Sequence, residues 1–385
     1  MFGLSREFRH RLALIILKTT LYGSWLLGLF PFTFDCRRRR IRRSRLLQIY
    51  GLFLNNFLLS TMLYWGFENF DKNGVEAFKR NTVLQIINIL IGSISMFSGF
   101  VVYFMNFWGC MKIQQIVNEL LALEYQDFDG LNEKICPKFN SLLIQKSVTI
   151  LGQLLSFLTV NYGIPGNDSP PKLMLISLLM IISLNINLLH FHVGVLLIYR
   201  YLWLINGQLS DLVNQLKVDP TVDSSRVRKF ISVYCRLLDL KENLVSAFQL
   251  QLTIVQMSCL SGNIVIIYFF VVLQISMRQN EVSLAAFPQA LLTNIWDFWL
   301  CIVQCDLTET TGKKTSTILR QFNDFVHTNE ELERSLNEFA MLCSHRKFRV
   351  QFFGLFSINC NTGFKILITT TLYFICLLQF DYMNL

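Results

Sequence analysis

Five stretches of the chain run for 21 to 35 residues without a single Asp, Glu, Lys or Arg: 46–67, 82–111, 147–167, 173–199 and 243–277. A helix needs roughly 20 apolar residues to cross the hydrocarbon of a bilayer. Inside that medium the backbone must satisfy its own hydrogen bonds, which leaves helices as the economical solution. Two further stretches qualify with one charge each, 282–305 around Asp297 and 350–380 around Lys365. The expected fold is therefore all-α, a membrane protein with seven transmembrane helices. Composition agrees, since 52% hydrophobic against 16% charged residues is too apolar for a soluble domain.

The distribution of charge sets an orientation. Lys and Arg number 35 against 26 Asp and Glu, a surplus that in a soluble protein would suggest nucleic acid. Here 29 of the 35 fall in 1–18, 36–45, 107–146, 200–248 and 305–349, and only five in 68–81, 164–172 and 275–287. Cytosolic loops carry such an excess, so the amino terminus is expected in the cytosol and the carboxyl terminus outside, with no nucleic-acid partner. The single glycosylation sequon, Asn167-Asp168-Ser169, falls in an outer loop and makes Asn167 a glycosylation candidate. None of the ten cysteines lies in an outer loop, so reduced thiols are expected.

Residues 12–34 are long enough to span, but Lys18 interrupts them, Gly28 and Pro31 break their helix, and both flanks are basic. They read as a re-entrant or interfacial segment that returns at CRRRRIRRSR, the alternative being an extra span. Two regions follow: 1–45, a cytosolic or re-entrant amino-terminal segment, and 46–385, the seven-helix domain. The inner loops are long and carry helical stripes. Ile318, Phe322, Phe325, Val326, Leu332, Leu336, Phe339 and Leu342 recur at spacings of three or four, with a capping box at Thr328 and Glu331. Phe230, Val233, Tyr234, Leu237, Leu238 and Leu240 repeat the pattern. Such faces pack either within the chain or against another subunit.

Enzyme chemistry finds no footing. There is no H-E-x-x-H, no Cys-x-x-Cys pair, no P-loop, no dinucleotide fingerprint and no G-x-S-x-G. His190 and His192 point to different faces of a helix, so no metal site and no cofactor are expected. Neither inverted repeats nor paired broken helices suggest a transporter. Seven spans with the amino terminus inside, and without Asp-Arg-Tyr or Asn-Pro-x-x-Tyr, also exclude a G-protein-coupled receptor.

The last span ends TTTLYFICLLQF, in which Tyr373, five mostly apolar residues, Gln379 and Phe380 match the terminal signature of insect gustatory receptors. The Thr position of that signature is Leu372, with Thr371 one residue early. SWLLGLFPFTFD at 24–35, HFH with LIYRYLWLINGQL at 190–209, NIWDFWL at 294–300 and the stretch 330–359 extend the likeness over nearly the whole chain. Together they resemble the fruit-fly gustatory receptors of the twenty-two group. The resemblance implies a chemoreceptor for small, bitter or aversive tastants in the plasma membrane of taste neurons. It further implies a ligand-gated cation channel, a homo- or hetero-tetramer with other gustatory receptors. The inner helical extensions, about 200–248 and 305–349, would form a shared anchor, and a helix at about 355–380 the pore. The competing readings are a chemoreceptor that signals through a partner without conducting, and a transporter-like protein.

At 100° per residue Thr369, Tyr373, Cys376 and Phe380 share one face of the last helix with Gln379 beside it, which makes them pore and gate candidates. Gln379 otherwise sits in the headgroup layer. Ligand candidates in the outer half are Asn161, Tyr162, Asn185, Tyr268, Trp296 and Asp297. Asp297 and Lys365 are the charges inside expected spans. Asp297 either lines a pocket with Trp296 and Trp299 or pairs within the bundle, Lys365 being one partner considered.

Overall fold

The computed structural model describes residues 6–69, 82–128, 136–163, 170–217, 224–277, 283–324 and 330–384. Ten α-helices dominate these residues. α1 (Arg6–Leu26) is followed by a β-hairpin, β1 (Phe32–Asp35) with β2 (Arg40–Arg43). Then come α2 (Arg45–Asn69), α3 (Thr82–Trp108), α4 (Cys110–Ala122), α5 (Pro137–Gly163), α6 (Pro171–Leu216) and α7 (Ser224–Met277). α8 (Ser283–Arg320), α9 (Glu330–His345), a second hairpin of β3 (Gln351–Phe352) and β4 (Phe356–Ser357), and α10 (Cys360–Asn384) complete the chain.

Among the described residues α2, α3, α5, α6 and α7 are long and apolar enough to cross a membrane, and they carry the five charge-free stretches. α8 and α10, the helices of Asp297 and Lys365, lie alongside them, α8 against α5, α6 and α7, and α10 against α7 and α8. Length forces extensions beyond the bilayer. At 1.5 Å per residue the 46 residues of α6 and 54 of α7 run roughly 70 and 80 Å, over twice a hydrocarbon core of about 30 Å. The surplus lies at the Lys- and Arg-rich end. There α4, α9 and the extended parts of α6, α7 and α8 build the largest core cluster, centred on Tyr201, Tyr234, Phe322, Phe339 and Phe348.

Within that trunk Tyr234 meets Phe339 and Phe348 edge-on at 5.1 and 5.0 Å. Ion pairs tie its rim. Arg236 bridges Glu119 (2.7 Å) and Asp127 (2.6 Å), Arg346 bridges Asp239 and Glu242, and Arg228 meets Glu331. Those carboxylates raise the Arg236 guanidinium above its usual range although burial works against it. The stripes expected at 227–247 and 314–345 are thus consumed inside the chain: Val227, Val233, Leu237, Leu238, Ile318, Leu332 and Leu336 are all buried. Phe325, Val326 and the capping residue Thr328 lie outside the described residues.

Two expectations change, and one open alternative closes. Residues 350–380 are not one helix: Phe353 (φ 53°) and Gly354 (φ 70°) turn the chain back in the second hairpin, and α10 starts at Cys360 rather than near 355. The Asn359 side chain accepts the backbone N–H of Thr362 at 2.9 Å and caps the new helix. Gly363 lets α10 close onto Ile302, where any Cβ would clash. Second, α5 begins ten residues before 147, so Lys146, read as the end of a loop, belongs to the helix. Third, Asp297 does not meet Lys365, which is exposed in the second turn of α10. At the amino-terminal segment α1 ends at Leu26, and Gly28 (φ +65°) turns the chain with its backbone pressed on Gly51. α1 lies against α5 and α6.

Candidate functional site

Polar residues recur at helical spacing on three helices of the bundle, and the fold turns them towards one another. α5 presents Lys146, Thr149 and Gln153; α8 presents Asn294, Asp297, Cys301 and Gln304; α7 presents Gln256, Cys259 and Asn263. Steps of three and four put each set on one face. Lys146 Nζ donates to Asp297 Oδ1 at 2.6 Å, and Thr149 Oγ1 donates to the same oxygen at 2.6 Å. The pair is buried, with side chains 3% and 10% exposed. One step along, Gln153 donates to Asn294 (3.2 Å) and Asn294 to Asn263 (2.9 Å), linking α5, α8 and α7. His192 of α6 closes the fourth side. Lys146, Gln153, His192, Asn294, Asp297 and Gln304, with Leu188, Phe298 and Gln256, surround a cavity of about 20 Å³, room for about one water.

A charge in so dry a place is retained only when paired and hydrogen-bonded. Asp297 meets that condition. Its neighbours do not all do so: both ring nitrogens of His192, Oε1 of Gln304 and Nε2 of Gln251 are buried without a protein partner. Gln251 does accept a hydrogen bond from Asn187 through its Oε1. Of these, His192 and Gln304 line the chamber, so a satisfied ion pair stands there beside polar atoms with no protein partner.

Of the expected ligand residues whose side chains are described, only Asp297 lines this chamber. Trp296 is half exposed on the outer face of α8, and Trp299 packs on the trunk. Asn185 is buried and donates to Ile181 of its own helix, and Tyr268 is fully buried in α7. The side chains of Asn161 and Tyr162, and the whole of Asn167, lie outside the described residues. Sequence reasoning missed Lys146, Thr149, Gln153, Asn263 and Asn294. The Lys146–Gln153 spacing of seven, on the helix facing Asp297, was the available signal. His190 donates to or accepts from Ser24 at 2.7 Å, away from His192. Among the described residues no three His, Cys, Asp or Glu side chains gather as a metal site.

The candidate pore residues stand apart on α10. Tyr373 is 65% exposed and Leu372 57%; Cys376, Gln379 and Thr369 are exposed too, Thr369 bonding back to the Lys365 carbonyl. The side chain of Phe380 lies outside the described residues. Phe364 and Ile368 continue the uncovered surface, so α10 touches the bundle along one side only.

Residues 17–384 match the family of seven-transmembrane chemosensory receptors. The chain belongs to that family. It is 58% identical to gustatory receptor 22b of Drosophila melanogaster over the full length of both, and 49% identical to gustatory receptor 22c. To the Drosophila melanogaster gustatory receptor for bitter taste 22e it is 38% identical over 98% of each chain. Its fold resembles the olfactory receptor OR5 of the insect Machilis hrabei in complex with eugenol. That match has a TM-score of 0.68 at 11% identity and covers 97% of this chain and 98% of the other. The protein is thus a multi-pass membrane chemoreceptor of the gustatory type, built on the seven-helix fold of insect olfactory receptors, and no enzyme.

Proposed function

We propose that this receptor is a ligand-gated cation channel that assembles as a tetramer, alone or with related gustatory receptors, with α10 lining a central pore. The observation that carries this reading is the uncovered face of α10. A membrane helix that leaves Leu372, Tyr373, Cys376 and Gln379 open, a bare amide among them, calls for a neighbouring subunit or an aqueous path rather than lipid. Phe380 and Cys376 then form the apolar constriction and Gln379 the polar step past it. The extensions of α6, α7 and α8 with α9 serve as the anchor at the cytosolic end, and the carboxyl terminus lies outside.

The polar group of the tastant belongs at the chamber between α5, α7 and α8, with Asp297 and Lys146 as its charged anchors, and α5, α7 and α8 must part to admit it, because the chamber at rest has room for about one water. A molecule with an apolar body and one strong hydrogen-bonding group would exchange one partner of the ion pair for itself. The kinship with a receptor for bitter taste makes aversive plant compounds the first panel to try.

Purified protein in a planar bilayer should pass current when such a compound is added. Phe380→Ala should raise the closed-state leak and Gln379→Leu should lower conductance. A charged thiol reagent applied to the outer face should modify Cys376 faster with ligand present. A functioning receptor in which neither substitution alters current, and in which Cys376 reacts at one rate throughout, would move the pore elsewhere.

A further inference from the structure

The hairpin β1–β2 and its turn carry Arg37, Arg38, Arg39, Arg40, Arg42 and Arg43, with Arg45 opening α2, and all seven are exposed. Only Arg42 has a carboxylate partner among the described residues, Asp35 at 3.5 Å. The remaining six are an uncompensated field. They are also held in place. Phe32 and Ile41 point inward onto α4, where Asn118 accepts the Ile41 N–H at 2.8 Å and Gln114 donates to its carbonyl at 3.2 Å. Arg39 lies 4.5 Å over the ring of Tyr125. The membrane level is marked by α2, whose first turns expose Leu46, Ile49 and Phe53 directly after Arg45.

Beside this hairpin lies the largest cavity described, about 590 Å³, between α1, α4, α5 and α6. Its size falls within the roughly 300–1,000 Å³ usual for small-molecule sites. Leu17 and Leu21 of α1, Ile113, Val117 and Leu121 of α4, and Leu197 of α6 form apolar walls. Phe30 and the α4 residues Ile113, Val117 and Leu121 belong both to this wall and to the packing under the hairpin. The charges inside are already matched. Arg200 grips both oxygens of Glu124 at 3.1 and 3.0 Å, and Tyr201 donates to the same carboxylate at 2.8 Å. Inside, then, the cavity is mostly apolar and its charges are matched; outside its wall, six arginines stand without a carboxylate partner among the described residues.

From that division we propose that the hairpin and the cavity together bind one anionic phospholipid of the adjoining leaflet, the arginines holding its phosphates and one acyl chain entering the cavity. Guanidinium forks suit phosphate oxygens, and juxtamembrane clusters of this density attract anionic headgroups. The neutralised interior rejects the headgroup and accepts the tail. That this leaflet is the cytosolic one rests on the orientation proposed above; the site itself does not.

The test uses the full chain in mild detergent, with native mass spectrometry to read retained lipid and no leaflet to confuse the result. A phosphatidylinositol bisphosphate with long chains should be retained over phosphatidylcholine. Replacing Arg38 and Arg40 by Gln, both exposed, should weaken that retention roughly twenty-five-fold, since each basic residue near a headgroup is worth about a factor of five. Leu17→Trp with Leu21→Trp, both in the cavity wall and neither packed under the hairpin, should expel the long-chain lipid but leave binding of the soluble inositol phosphate headgroup unchanged. Equal retention of phosphatidylcholine, or indifference to the arginine substitutions, would overturn the proposal and leave the cavity to bulk lipid. Indifference to the tryptophans in a protein that elutes normally would equally overturn the placement of the tail. Because no current is measured, a failed channel reading and a failed lipid site give different results.

Discussion

α9 and α10 follow each other in the chain, and both carry apolar residues at helical spacing, yet one stripe is hidden and the other bare. In α9 Leu332, Leu336 and Phe339 are buried against α7 and α8, and Phe339 is wholly enclosed by the Tyr234 cluster. In α10 Phe364, Ile368, Leu372 and Tyr373 face outward. Periodicity alone shows that a face must be covered, not what covers it. The trunk stripe is spent on the subunit's own fold. The α10 stripe is the one left over for a second copy or for a pore.

Matched truncations in the two helices break this comparison if it is wrong. Phe339→Ala should cost the subunit about 3–5 kcal/mol, the usual range for emptying a fully buried aromatic site. Leu372→Ala should change subunit stability by less than about 0.5 kcal/mol, as exposed positions do, while shifting the protein to smaller species in mild detergent. Thermal unfolding read alongside size-exclusion profiles separates the two. Equal destabilisation, or an oligomer lost through Phe339 with the subunit intact, would return the assembly surface to the trunk.

The same contrast explains which features residue order reveals. Charge-free runs are a local property, so five spans, the break at Gly28 and the helical inner loops are legible in the order of residues alone. The second hairpin is not, because QFFGLF is as apolar as a membrane helix and only the positive φ at Phe353 and Gly354 betrays the turn. Asp297 is legible as a charge out of place. Its partner is not, for Lys146 ends a charge-bearing segment and only the packing of α5 on α8 shows that it is buried. The candidate pore face of α10 is readable from spacing and from the resemblance, whereas its exposure depends on which neighbours α10 lacks.

A second comparison sets the buried pair against an exposed one. Asp297→Ala leaves the Lys146 ammonium alone in the bundle and should cost at least about 3 kcal/mol. Replacing both residues, Lys146→Met with Asp297→Leu, should restore most of that loss. Glu331→Ala, which removes the partner of exposed Arg228, should cost no more than about 1 kcal/mol. Chemical-denaturant or thermal curves on the four proteins decide it. An Asp297→Ala receptor as stable as Glu331→Ala would mean that Lys146 finds water, and that the chamber is open at rest.

The last comparison sets the buried thiol of α9 against the exposed thiol in the turn of the first hairpin. Burial pushes the Cys343 thiol up to about 11, with hydrogen bonds from Tyr234 and Ser316 working the other way. The thiolate is the reacting species, so at pH 8 only about a thousandth of Cys343 is available, and it should resist a maleimide that labels Cys36 readily. The raised value also has a sign in stability. A thiol in the unfolded chain loses its proton near its ordinary value, while Cys343 in the fold keeps its proton until about 11. Stability linked to that proton is complete below the ordinary value and is lost as pH climbs through the folded one. Against a Cys343→Ala variant, the parent protein should therefore lose roughly 1 kcal/mol between pH 8 and pH 10. The comparison with the variant cancels Lys241, whose ammonium burial pushes below its usual range and whose contribution to stability runs in the opposite direction. Parallel pH profiles for parent and variant, or rapid labelling of Cys343 at pH 8, would mean that α9 opens readily from the trunk. Its stripe would then be no more committed to the subunit than that of α10.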